Sequence, residues 1–321
     1  MCGTWCCLMA WLKIQAVMKM EETEHSVEYL ASGCTFTDLH YSFRIGISTA
    51  SLIIREVCRA VWSVMQPEFL PTPSKEQWEN IASGFESTSN FPHCLGAVDG
   101  KHIRIISPCG GGSMYYNYKD YHSIVLMAVA DSNYRFVYVN IGSYGKDCDS
   151  TILKRSGLWE SIVAGKHPLP EEKCLPGTES TNVPYFFVGD EAFGLHKHFL
   201  RPFGGSNLSV NKKVFNYRLS RARRFVECTF GILSNKWRIF HRPINVDPYF
   251  VIDITKACVV LHNFVRERDG VIFEDTTTIT GLMDLSPQRS TRGGSKANKM
   301  RQILSDYFVG VGAVPWQMNK I

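Results

Sequence analysis

Two hydrophobic rhythms divide the chain. Over the first ninety residues the apolar positions recur at helical spacing. One segment at 24–32 ends at Gly33, a residue suited to the position just past a helix. A short helix is predicted over 37–44, then Ser48 as the N-cap of a helix running to about residue 65. Ile53, Val57, Val61 and Val64 form its apolar stripe. Pro67, Pro71 and Pro73 interrupt the pattern, and Ser74 opens a further helix to about residue 83. Helix, short turn and helix over 37–65 is also the outline of a DNA reader. The second of these helices carries only Arg55 and Arg59, against Glu56, so a helical packing region is the better reading.

From Cys94 the pattern becomes that of strands. Residues 95–106, 122–131 and 135–142 are rich in Val, Ile and aromatic side chains and are separated by turn signals. The short Asp131-Ser132-Asn133 connection makes the second and third an antiparallel hairpin. Residues 150–162 read as a helix and 184–188 as a compact strand. The strongest helix covers 215–240, where Leu219, Ala222, Val226, Phe230, Leu233 and Trp237 step at helical intervals. Antiparallel strands, a helix, another strand and a long helix predict an α/β protein, a mixed sheet with helices on both faces. Three regions follow: an N-terminal helical, helix-turn-helix-like region over 1–90, an α/β domain over 91–268, and a polar, loosely ordered tail over 269–321. Residues 1–20 are apolar but have no basic start and no clear cleavage site, and read as an irregular start rather than a signal peptide.

Composition changes this picture little. With 321 residues, 45% hydrophobic and 20% charged, the chain is an ordinary globular protein rather than a disordered one. Its longer apolar runs, such as 124–130, are the size of core strands, short of the ~18 residues of a membrane span. Eleven cysteines without a CxxC pair suggest neither a disulfide framework nor a zinc ribbon, and a reducing compartment is expected. The distribution of charge is more informative than its total of +5. Residues 1–90 carry six Lys/Arg and ten Asp/Glu, whereas 212–242 carry nine Lys/Arg and one acid, Glu227. Such a basic segment suits a polyanion or, alternatively, a solvated helix face.

Two aspartates stand out by position. Asp99 ends the apolar run Leu95-Gly96-Ala97-Val98, and Asp190 follows Phe186-Phe187-Val188-Gly189. A charge at the end of a buried strand is costly unless paired, solvated or metal-bound. The flanking Gly96, Gly100 and Gly189 permit close approach of another group. Glu227 shares a helix face with Arg223 and Arg224. Asp99, Asp190 and Glu227 could converge on Mg²⁺ or Mn²⁺; equally, Asp99 could end a strand and Glu227 pair with an arginine. Lys101, His102, Lys119 and Tyr121 could touch a nucleic-acid backbone or be strand-edge residues. Gly110-Gly111-Gly112-Ser113 is followed by no Lys-Ser/Thr and reads as a loop, and His196 and His198 read as surface residues.

Longer motifs add a resemblance. LGAVDGKHIRI (95–105), YYNYKDYHSIVLMAVADSNYRFVYVNIGSYG (115–145), VGDEAFGL (188–195), FNYRLSRARRFVECTFGILSNKWRIF (215–240) and ACVVLHNF (257–264) resemble the nuclease domain of Harbinger-type transposases, in the DDE superfamily. The resemblance runs in order from about residue 25 to 266. It implies an RNase H-like fold for 91–268 and three metal-binding, catalytic acids falling on Asp99, Asp190 and Glu227. Asp149, in Asp-Cys-Asp-Ser, matches a further acidic position, and Glu191 stands where many members carry a small residue.

The implied activity is a nuclear, Mg²⁺- or Mn²⁺-dependent DNA endonuclease, with Asp99 bridging two cations and Asp190 and Glu227 each completing one. Lys212, Lys213, Arg218, Arg221, Arg223 and Arg224 would hold DNA phosphates. Members typically act with a separate Myb-like DNA-binding protein, which suits the acidic N-terminal region; a homo-oligomer is also compatible, and no membrane partner is expected. The alternative is a domesticated, non-catalytic DNA- or chromatin-binding adaptor that retains the fold.

Overall fold

A computed structural model describes residues 20–179, 181–270, 283–284 and 294–320. The start read as irregular and most of the polar stretch after residue 270 therefore lie outside the described residues. Four helices come first: α1 (Met20–Ser32), α2 (Phe36–Phe43), α3 (Ile47–Phe69) and α4 (Lys75–Ser89). Capping boxes open two of them, Thr35 with Asp38 and Ser74 with Gln77. Helix α3 runs through Pro67 because Met65 and Phe69 bury its last turn. Helix α4 outruns its predicted end for the same reason: Phe85 is buried, and Asn90, in the left-handed conformation, closes the helix.

The sheet is built from β1 (Cys94–Arg104), β2 (Ser123–Ala130), β3 (Phe136–Tyr144), then β6 (Phe186–Val188) and β7 (Phe199–Leu200), in the order β3-β2-β1-β6-β7. β1 to β3 are antiparallel neighbours, while β6 runs parallel to β1 and β7 parallel to β6. Three antiparallel strands continued by parallel ones is the RNase H-like arrangement. A two-stranded ribbon, β4 (Lys173–Cys174) and β5 (Asn182–Val183), lies apart, and β8 (Met283–Asp284) pairs with β1. Between β3 and β4 the predicted single helix is two, α5 (Asp149–Lys154) and α6 (Gly157–Val163). Ser156 divides them: its Oγ accepts from Trp159 N at 3.2 Å and starts α6 afresh.

Two long helices complete the layers, α7 (Val210–Lys236) and α8 (Pro248–Asp269). The hydrophobic pattern left α8 unassigned. Its opening signals are nonetheless in the sequence, with Asp247 as N-cap and Pro248 in the first turn. By length and composition α8 could cross a membrane, yet Val251, Ile254, Cys258 and Leu261 are buried in the core. Arg55 pairs with Asp247, and Arg59 with Asp253 at 2.8 Å, so both arginines of α3 are engaged with α8. One cluster unites Leu39, Ile54 and Phe69 of the N-terminal helices with Phe136, Val226 and Val259; a second, on the other sheet face, joins Val98, Val125 and Phe187 to Leu153, Leu158 and Trp78.

The end of the chain corrects the sequence reading of a loose tail. Helix α9 (Ser295–Val309) is ordered because Ala297, Met300, Leu304 and Phe308 repeat at helical spacing and are buried. Phe308 reaches the rings of Phe91 and Phe215, the latter on α7.

Candidate active site

The two strand aspartates meet through sheet register. Ala97 of β1 pairs with Val188 of β6 in parallel. Two residues further along each chain are Asp99 and Asp190, so both fall on the same face of neighbouring strands, which lie about 4.8 Å apart in a sheet. Gly189 just before Asp190 does admit a close approach, but of the protein itself: a β-carbon there would lie 2.6 Å from Phe199 Cζ and 2.7 Å from Phe193 Cδ2. Asp190 then turns the chain, its Oδ1 accepting from Ala192 N at 2.9 Å.

Asp99 is 5% exposed, and its Oδ1 accepts from Gly100 N at 2.9 Å. Lys101, two residues along and on the same face, brings Nζ to 3.7 Å from Asp99 Oδ2 and is itself 2% exposed. From α5 comes Asp149, 1% exposed, whose Oδ1 has no hydrogen-bond partner. The three aspartates act on one another electrostatically. Burial, and then the negative charge of Asp190, raise the carboxyl of Asp99 above its usual range despite Lys101 and Arg223. Burial raises Asp149 well above its usual range, with Asp99 and Asp190 adding to the effect.

Helix α7 lies over this cluster. Arg223 is close enough to act on Asp99, and Phe230 lies under the Lys101 ammonium at 5.7 Å. Glu227 stands between these two positions on the same stripe of the helix, four residues after one and three before the other. Its Oε1 meets Arg223 Nη2 at 3.2 Å, and its side chain is 35% exposed. Thus Asp99, Asp149 and Asp190 gather, while Glu227 sits at their rim, turned to an arginine.

The basic residues separate by environment. Arg218 is 1% exposed, donates from Nη2 to Gly312 O at 2.7 Å and stacks over Phe308. It is therefore not a phosphate ligand: the buried α9, which the sequence pattern did not predict, has taken it into the core. Arg221 stacks over Trp316 at 4.3 Å, and Lys212 over Phe203 at 5.3 Å. Arg223 is committed to the acids. Lys213 and Arg224 are exposed on α7 and, eleven residues apart, share a face. Lys101 and His102, read as flanking residues, are both buried; His102 points to the other side of β1, its Nδ1 2.9 Å from Ser123 Oγ. Asp149 came forward only through the family resemblance, and nothing in the spacing marked Lys101 as the charge partner of Asp99.

Clustered carboxylates are hard-oxygen donors of the kind Mg²⁺ and Mn²⁺ take, and an orphaned buried oxygen such as Asp149 Oδ1 fits a group that binds a cation. Among the described residues no three His, Cys, Asp or Glu side chains stand ready-made at metal-binding distance, in keeping with Glu227 turned away and Lys101 inserted.

Comparison with known proteins bears on the same residues. A family model described as DDE superfamily endonuclease matches residues 98–263, just over half of the chain and a span that contains all four acids. An Arabidopsis thaliana protein named "Protein ALP1-like" is 30% identical over 288 residues, 88% of this chain and 69% of that one. A Rattus norvegicus protein named "Putative nuclease HARBI1" is 25% identical over 254 residues, 76% of this chain and 66% of that one. No solved structure matches the chain. The family match, the two relatives and the mixed sheet with its paired strand aspartates agree: the chain belongs to the DDE superfamily endonuclease family, among its Harbinger transposase-derived members.

Proposed function

We propose that this protein is a divalent-cation-dependent DNA endonuclease. The observation that carries the reading is the gathering of the buried Asp99 and Asp149 with the half-buried Asp190, with one buried carboxylate oxygen unpartnered. Buried like charges are costly to hold, and a fold that keeps them invites a cation. Asp99, Asp190 and Glu227 would hold Mg²⁺ or Mn²⁺, and Asp149 would add negative charge behind them. When bound, the cations supply activation of water and stabilisation of the leaving oxygen. Glu227 is free to turn inward at little cost, because a part-exposed ion pair like that with Arg223 is worth only about 0–1 kcal/mol.

Exposed Lys213 and Arg224 hold phosphates of the duplex, which position the backbone without reading its sequence. Hydrolysis forms a bond from a water oxygen to phosphorus and breaks the P–O3′ bond, leaving a 3′-hydroxyl. Such a role places the protein in the nucleus, with a Myb-like DNA-binding protein supplying sequence recognition and a homo-oligomer holding two DNA ends. The test is nicking of supercoiled DNA with Mn²⁺. Asp190→Asn and Glu227→Gln should each abolish nicking, roughly a thousandfold or more, while binding DNA as the wild type does. Equal nicking by either variant would sink the assignment.

One observation favours a second reading, a non-catalytic DNA-binding adaptor. Lys101 already neutralises Asp99 within the fold, as expected of a site that holds no cation. In that case no wild-type nicking is seen, and Glu227→Gln leaves DNA binding unchanged.

A further inference from the structure

The buried lysine asks for its own explanation. Lys101 is 2% exposed, deep in a central strand, with its ammonium 3.7 Å from Asp99 Oδ2 and 5.7 Å above the ring of Phe230. Lysine is rarely buried without a charge partner, because its compact ammonium is strongly hydrated in water. Here the partners are the aspartates. Arg223 also faces Asp99 but is shared with Glu227 at the helix surface, so Lys101 is the compensating cation within the strand layer.

The backbone around Lys101 is fixed. It pairs with Leu126 on one side and Asp284 on the other, and the next residue, His102, is anchored to Ser123 at 2.9 Å. Any displacement is therefore carried by the four-carbon side chain and not by the backbone. A divalent cation on Asp99 would meet an ammonium a few ångströms away, a like-charge repulsion that is strong at the effective dielectric of a protein. The two therefore compete for the same carboxylate.

We propose that Lys101 is a built-in counter-ion of the acid cluster, competing with the divalent cation for Asp99 and displaced when that cation binds. It sets the cation concentration at which the site fills, and it lets the cation-free protein keep its carboxylates together. Resting on the reading of the cluster as a metal site, the inference needs measurements that separate the two. Mn²⁺ binding by calorimetry on the full chain does so. Wild-type binding abolished by Asp190→Asn supports the metal site itself. Lys101→Met keeps the length of the stem and removes the charge, so Mn²⁺ should bind at least about tenfold more tightly. Binding by the variant where the wild type shows none would support displacement equally. If the wild type binds and Lys101→Met binds equally or more weakly, the counter-ion inference is overturned while the metal site stands. If neither binds, both are overturned.

A measurement on the wild type covers a variant that fails to fold. Acetic anhydride should acetylate Lys101 slowly without metal and several-fold faster with saturating Mn²⁺, read by peptide mass spectrometry. An unchanged rate at Lys101 refutes displacement.

Discussion

Asn263 offers the most direct test of how the helical region is tied to the sheet. It is fully buried on α8, and its side chain makes three hydrogen bonds. Oδ1 accepts from Phe136 N at 2.9 Å; Nδ2 donates to Phe136 O at 2.8 Å and to Phe69 O at 2.7 Å. One amide thus binds the end of α3 to the start of β3. Replacing Asn263 by Ala strands an N–H and two carbonyls beside the buried rings of Phe69 and Phe136, where water does not easily reach. Each unpaired buried group costs about 1–3 kcal/mol. Allowing for partial relaxation, the loss should be roughly 3–6 kcal/mol, a large part of the about 5–15 kcal/mol that holds a typical domain. Asn263→Asp keeps the acceptor but loses both donors and faces two carbonyls with a charge, so it should be at least as damaging. Asn211→Ala, which removes one exposed bond to Asp306, should cost well under about 1 kcal/mol and serves as control. Urea unfolding followed by circular dichroism gives the answer as a shift in midpoint at constant slope. A loss below about 1 kcal/mol for Asn263→Ala would refute the reasoning.

Two further outcomes follow from groups outside the acid cluster. His262 is buried and donates to Tyr134 O at 2.8 Å; burial chiefly, with Arg266 and Arg135 adding, lowers its pKa to about 4. Its folded value lies below the unfolded ~6.5, so it favours the fold fully above pH 6.5 and loses that contribution as pH falls toward 4, about 3 kcal/mol in all. His262→Gln should flatten that part of the stability–pH curve, and an unchanged slope counts against the account. On the DNA side, Lys213→Glu and Arg224→Glu should weaken binding and lower the salt slope by about 0.9 for each phosphate no longer neutralised. Arg218→Ala should instead lower the melting temperature and leave that slope alone, since its guanidinium is buried against Phe308 and Gly312. A salt slope that drops only with Arg218 would reverse the assignment.

Local chemistry determined much of this protein directly from its sequence. The period of apolar residues marks α3 and α7, β-branched runs mark β1 to β3, and Ser74 caps α4, because each signal depends on neighbours a few residues away. The long motifs also brought Asp99, Asp190 and Glu227 forward as one set. What tertiary structure alone decided depends on groups far apart in the chain. Register between β1 and β6 puts Asp190 beside Asp99, and the start of α5 delivers Asp149 to them. Arg218 and Arg224 look alike in sequence, yet α9, nearly a hundred residues on, buries one and leaves the other in water. Lys101 reads as a strand-edge cation until β8 and α7 cover it. Periodicity reports which face of an element is apolar; the charge a residue keeps or surrenders is fixed only when distant elements close around it.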